Sequence, residues 1–140
     1  MSTRTAAAEP EGASGGTAAP RPLRAFPFLS AHHVARTAAF YERLGFTRLV
    51  QHPPTGEPAF VGLHRDGAEL AVSAATEPRE PGGPYEMFVF VEDVDQALER
   101  LRTAGVPVLG EPVDMPWGER VARVADPDGN SVALASPAGG

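Results

Sequence analysis

Cysteine is absent from the 140 residues, and so is lysine, all 12 basic side chains being arginine. Without thiols there can be no disulfide, no thiolate metal site and no cysteine nucleophile. No apolar run approaches the roughly 20 residues of a membrane span. The first twenty residues lack the apolar stretch of a secretory signal. A formal net charge of -6 argues against nucleic acid and anionic membrane as partners, since both require basic patches. No serine sits in a Gly-x-Ser-x-Gly elbow and no phosphate-binding glycine loop occurs. Of the four histidines, His32 and His33 are adjacent and diverge at a helix start, while His52 and His64 fit no zinc spacing. A single soluble, cytoplasmic domain is expected, long enough to bury a core without staples.

What is present is a pattern that occurs twice. Residues 1–20 are rich in Ala, Gly, Ser, Thr, Glu and Pro and read as a disordered tail; a domain is expected over 21–136, with a short tail at 137–140. Arg24 to Ser30 reads as a strand. Val34 to Leu44 reads as a helix, with Val34, Ala38, Tyr41 and Leu44 at helical spacing and Gly45 past its end. Phe46 to Gln51 reads as a strand, and Ala59 to His64 with Glu69 to Ala74 as a hairpin around Asp66-Gly67. A linker follows at 76–83. Then Tyr85 to Val91 reads as a strand and Asp93 to Ala104 as a helix capped by Asp93, ended by Gly105. Val106 to Leu109 is a strand; Trp117 to Val124 and Ser131 to Ala135 flank the turn Asp126-Pro127-Asp128-Gly129-Asn130. An internal repeat decides the fold class: an α+β protein of two tandem βαβββ modules, residues 24–75 and 84–135, forming a curved mixed sheet or half-barrel with the helices outside.

Phe40-Tyr41 before Leu44-Gly45-Phe46, the run Val91-Glu92-Asp93-Val94-Asp95, and Pro116-Trp117-Gly118 followed by Asp126-Pro127-Asp128-Gly129-Asn130 carry a family likeness. In this order and spacing the chain resembles the vicinal-oxygen-chelate superfamily of glyoxalases, bleomycin-resistance proteins and extradiol dioxygenases, and is most similar to bleomycin-resistance-like members. The resemblance spans roughly residues 22 to 136. It implies metal-ligand positions on four strands, which here hold Phe26, Ala71, Glu86 and Ala133. Phenylalanine and alanine donate nothing, and one carboxylate cannot hold a divalent ion against water. The expectation is therefore no metal and no other cofactor. By the same resemblance a homodimer is implied, and Trp117 is placed near a pocket mouth.

Strand parity then sorts the side chains. Phe26, Phe28 and Ser30 share one face, and Glu86, Phe88 and Phe90 share the corresponding one; Pro27, Leu29, Ala31, Met87, Val89 and Val91 point to the helices. Phe26, Phe28, Glu86, Phe88, Phe90 and Trp117 are the candidate ligand-binding residues, forming an apolar site with one carboxylate. No residue is assigned as catalytic. Rings that merely fill a core, and a Glu86 paired with an arginine, are the structural alternatives. Arg120 reads as a surface arginine or a partner for an acidic group.

The favoured function is non-enzymatic binding of a small molecule, drug-like or antibiotic-like, flat and aromatic or cationic, with the rings stacking on it and Glu86 meeting a positive group. The alternative is a metal-dependent or acid–base lyase, isomerase or dioxygenase of the same superfamily. A structural or regulatory protein with a vestigial cavity is the third possibility.

Overall fold

The computed structural model describes residues 24–77, 80 and 82–139. The expected tail at 1–20 lies outside the described residues. Ten elements follow in the order β1 (Phe28–Ala31), α1 (Val34–Arg43), β2 (Thr47–His52), β3 (Phe60–Arg65), β4 (Ala68–Ala74), β5 (Met87–Phe90), α2 (Val94–Thr103), β6 (Val108–Asp114), β7 (Glu119–Ala125) and β8 (Ser131–Pro137). This is βαβββ twice.

Each half forms its own four-stranded mixed sheet, in the orders β1-β4-β3-β2 and β5-β8-β7-β6. The first strand of each runs parallel to the last, and the remaining pairs are antiparallel hairpins. Even the register repeats: Phe28 lies opposite Ala71 as Phe88 lies opposite Ala133. A parallel pair requires a crossover, and in both halves the helix supplies it. Gly45 (φ 95°) and Gly105 (φ 87°) end the helices in the left-handed region that favours glycine.

Several boundaries differ from the sequence reading. β1 starts at Phe28 rather than Arg24. Trp117 sits on the β6–β7 turn, and β7 starts at Glu119. β6 extends to Asp114, beyond Leu109, because its pairing with β7 continues past two register shifts. Bulges erase the simple alternation by which an edge strand is recognised.

The core lies between helices and sheets and is continuous across the halves. Val34, Ala38, Tyr41 and Leu44 of the first half join Val94, Leu98, Leu101 and Leu134 of the second in one buried cluster. Polar contacts reinforce the junction. Buried Asp126 accepts the Tyr41 hydroxyl at 2.9 Å, the backbone N–H groups of Asp128 and Asn130 at 2.9 Å each, and the Asn130 amide at 3.0 Å. Burial first, and then the Asp126 charge, raises the Tyr41 pKa, so its hydroxyl keeps the proton that it donates.

The same turn also reaches the start of the other half's helix. The His33 side chain, at the N-cap of α1, makes no capping bond. Instead Asp128 accepts the His32 N–H at 2.9 Å and the Thr37 hydroxyl at 2.6 Å, placing a carboxylate at the positive end of the helix. α2 needs no such help: its own Asp93 accepts the Gln96 N–H.

Asp126→Ala would leave a buried tyrosine hydroxyl, an amide and two backbone donors without their acceptor. It should cost about 3 kcal/mol, and Tyr41→Phe about 1 kcal/mol. Urea denaturation of the three proteins measures both; an Asp126→Ala cost near zero would show that the turn does not hold the halves together.

Candidate functional site

Parity assigns the faces as the sequence suggests. Leu29, Met87, Val89 and Val91 pack against the main core, and Ala31 is buried within it. Phe28, Phe88 and Phe90 point to the opposite side, 60%, 41% and 51% exposed. These rings do not fill a core within one chain: they lie on open sheet faces.

On the first sheet, Phe28 stands 5.9 Å from the Phe60 ring, which in turn lies 6.0 Å from His52. Phe60 escaped the sequence reading although a signal existed. The Asp66-Gly67 turn fixes the hairpin register, which puts Phe60 opposite Ser73, two residues from Ala71. Phe26 is partly exposed, with the Arg24 guanidinium 5.2 Å from its ring centre and Arg24 itself paired with Glu69. On the second sheet, Phe88 and Phe90 lie 5.9 Å apart, tilted against each other.

Of the two readings that the sequence leaves open for Glu86, the structure has the one paired with an arginine. Glu86 accepts two bonds from Arg123, at 2.7 Å from Nε and 3.2 Å from Nη2, and one from the Ser131 hydroxyl at 2.7 Å. The cause is again register: Arg123 lies opposite Ala133, which lies opposite Phe88, so all three share Glu86's face. The Arg123 hydrogen bond, aided by Ser131 and by Arg123's charge, holds the Glu86 carboxyl below the usual carboxylate range against a smaller desolvation effect. The Arg123 pKa is raised in turn, chiefly by the same bond.

A cleft of about 510 Å3 runs between the outer strands β1 and β5 and brings Phe28 and Glu86 together, with Tyr85, Met87 and Ser131. Phe26, Phe88, Phe90 and Trp117 do not line it. Trp117 is 62% exposed on its turn, with its indole N–H donated to Glu119 at 2.8 Å. Arg120 is tied to Asp95 and Asp114 and bridges α2 to β6.

A divalent metal does not fit the four strand positions. Phe26, Ala71 and Ala133 carry no donor atom, and both oxygens of Glu86 are engaged. Nor do the described residues group three His, Cys, Asp or Glu side chains that could hold an ion elsewhere. No helix among the described residues is long and apolar enough to cross a membrane.

Two mixed βαβββ sheets with open, aromatic-rich faces define a class, and comparison with known proteins agrees. Residues 26–134 match the model of the Glyoxalase/Bleomycin resistance protein/Dioxygenase superfamily. The chain belongs to that superfamily. It is 32% identical over 96 residues to the uncharacterized protein YetH of Bacillus subtilis (strain 168), spanning 66% of this chain and 79% of YetH. Among solved structures, TioX from Micromonospora sp. ML1 is 25% identical with a TM-score of 0.65, covering 84% of this chain and 98% of TioX. A bleomycin-binding protein complexed with bleomycin shares the fold at 24% identity and a TM-score of 0.60, covering 81% of this chain and 97% of that one. So does a lactoylglutathione lyase from Agrobacterium tumefaciens, at 20% identity and a TM-score of 0.59, covering 83% and 95%. Binding proteins and enzymes thus share this architecture.

Because the folded-state pKa of Glu86 is depressed, its pairing adds stability above the ordinary carboxylate pKa of about 4.3 and loses it as pH falls through the lowered value. Glu86→Gln should therefore cost about 0.5–1 kcal/mol at pH 7, with the difference from wild type shrinking as the pH falls below the ordinary carboxylate pKa and through the lowered one. Denaturation curves across that range measure it. A variant as stable as wild type at neutral pH would show that the pairing of Glu86 contributes nothing to stability.

Proposed function

We propose that this protein binds a flat aromatic small molecule without a metal and without transforming it. The observation that carries this reading is the content of the four strand positions. Phe26, Ala71 and Ala133 offer surface rather than ligands, and Glu86 is already neutralised by Arg123. Phe28, Phe60, Phe88 and Phe90 offer ring faces close by, and a planar ligand gains most by stacking on such rings. The lowered Glu86 pKa disfavours general-base chemistry, which works best with a pKa near the operating pH.

Charge has a smaller part than the sequence suggests. Glu86 and Arg123 form a neutral pair that can hydrogen-bond a ligand edge, so a cationic group on the ligand gains little from Glu86 unless it displaces Arg123. Stacking sets the affinity; the pair sets orientation.

A second copy of the chain is the proposed cover for the open faces. Phe28, Leu49, Phe88, Phe90, Leu109 and Val113 are each at least 41% exposed, and apolar patches of this kind are what interfaces and ligands bury. The two sheets share strand order and register, so the first sheet of one copy can face the second sheet of another across a two-fold axis.

Calorimetric titration with proflavine, a flat cation, and 9-anthracenemethanol, a flat neutral compound, tests the ligand class. Both should bind, within about threefold of each other, and Phe88→Ala should weaken both by about tenfold, as lost ring stacking predicts. Affinity confined to the cation and abolished by Glu86→Gln would restore the ionic role; binding that requires added nickel, zinc or manganese would overturn the metal-free reading.

Sedimentation should give twice the 14.7 kDa chain mass. Phe90→Glu should shift it to the monomer by placing charge on the covered face; a monomeric wild type at high micromolar concentration would refute the pairing.

A further inference from the structure

A second cleft, of about 770 Å3, lies between the end of α1, the β3–β4 hairpin and α2, and shares no residue with the cleft between β1 and β5. Asp93, Gln96, Ala97, Arg100 and Leu101 give it one face of α2, at the spacing of residues that line one side of a helix. Its floor is apolar, made by the buried side chains of Leu44, Ala97 and Leu101.

Three arginines line the cleft: Arg43, Arg65 and Arg100. Among the described residues none of the three has a carboxylate partner, whereas Arg24, Arg48, Arg102, Arg120 and Arg123 all do. Among the described residues only Arg36 shares that condition elsewhere. Two carboxylates also line the cleft, Glu92 and Asp93, and Asp93 is committed to capping α2. The local balance is thus positive on a chain whose net charge is -6. A positive cleft over an apolar floor concentrates anions.

Arg65 is positioned rather than loose. It is half-buried, and its Nη2 donates to the Phe90 carbonyl at 2.6 Å. It passes closely over Gly45, where an added Cβ would lie 2.9 Å from Arg65 Nε. Glycine at 45 therefore both ends α1 and leaves the guanidinium its place. One carbonyl uses one of five N–H donors, so the remainder are free to bind an oxyanion.

We propose that this cleft is a binding site for a small organic phosphate, with the phosphate against Arg43, Arg65 and Arg100 and an apolar body on the Leu44–Ala97–Leu101 floor. A dianion with several oxygens suits guanidiniums, which bind phosphate in forked, charge-assisted pairs. The volume suits a ligand of ordinary small-molecule size. The site is independent of the aromatic faces and stands whether or not they bind a ligand.

The test is titration of the 15N-labelled protein with 1-naphthyl phosphate, followed by amide and arginine Nε resonances, with 1-naphthol as the uncharged control. The phosphate should produce saturable shifts at Gly45, Gln96, Ala97 and Arg65 Nε. Arg43→Gln with Arg100→Gln, both exposed positions, should weaken binding about tenfold or more, as loss of two charge-assisted contacts predicts; raising the salt concentration should weaken it further. Naphthol should leave these resonances unmoved, and any shifts it causes on β1 and β5 report the other cleft. No saturable shift at millimolar naphthyl phosphate, equal shifts with naphthol, or unchanged affinity in the double variant would each overturn the proposal.

Discussion

Asp126 and Asp128 sit two residues apart on the turn between β7 and β8, and each reaches into the other half of the chain. Asp126 is buried and holds Tyr41; Asp128 accepts the His32 N–H just ahead of α1 and the Thr37 hydroxyl within it. A buried carboxylate is costly unless its lone pairs are filled. Here four donors fill those of Asp126, and three of them come from its own turn. The turn is therefore built by the same carboxylate that docks it. Asn130 extends the join by accepting the Gly82 N–H on the segment between the halves. Since β1 and β5 share no backbone ladder, this clasp, with Arg65 on the Phe90 carbonyl and the shared core beneath, sets how the halves sit.

The repeat, both helices and the alternation in β1 and β5 were legible in the sequence because each rests on local chemistry: a glycine past a helix end, apolar residues at helical spacing, a turn dipeptide between strands. The extent of β6 was not, since its two register shifts break the alternation. Asp126-Pro127-Asp128-Gly129-Asn130 reads locally as no more than a turn, and nothing local says that Asp128 binds a threonine of a helix more than ninety residues away. The two helix starts differ: His33 opens α1 without an effective capping group, whereas Asp93 opens α2 with one.

The site was legible in part for a related reason. Parity along a single strand put Phe28, Phe88 and Phe90 on the exposed faces and Val89 in the core. It could not supply neighbours, because those come from register across strands. Both hairpin turns held that register. Counting outward from Asp66-Gly67 reaches Phe60, and counting outward from Asp128-Gly129 puts Arg123 across from Ala133 and so beside Glu86. Trp117 failed differently: as a turn residue it takes its place from the bulged β6, where no counting rule applies.

Duplication leaves two sheets with one register and different chemistry, and the contrast bears on what the site can do. Phe26 and Ala71 on the first correspond to Glu86 and Ala133 on the second. Where the first sheet offers rings, the second adds a carboxylate, and a carboxylate on an apolar face needs a partner. Arg123 and Ser131 provide it at adjacent positions. Once those bonds form, Glu86 is a poor metal ligand and a poor base at once, because releasing it for either role means breaking two or three charge-assisted bonds. Chemistry at this position would thus require dismantling the pair, whereas binding requires only that a ligand lie against it.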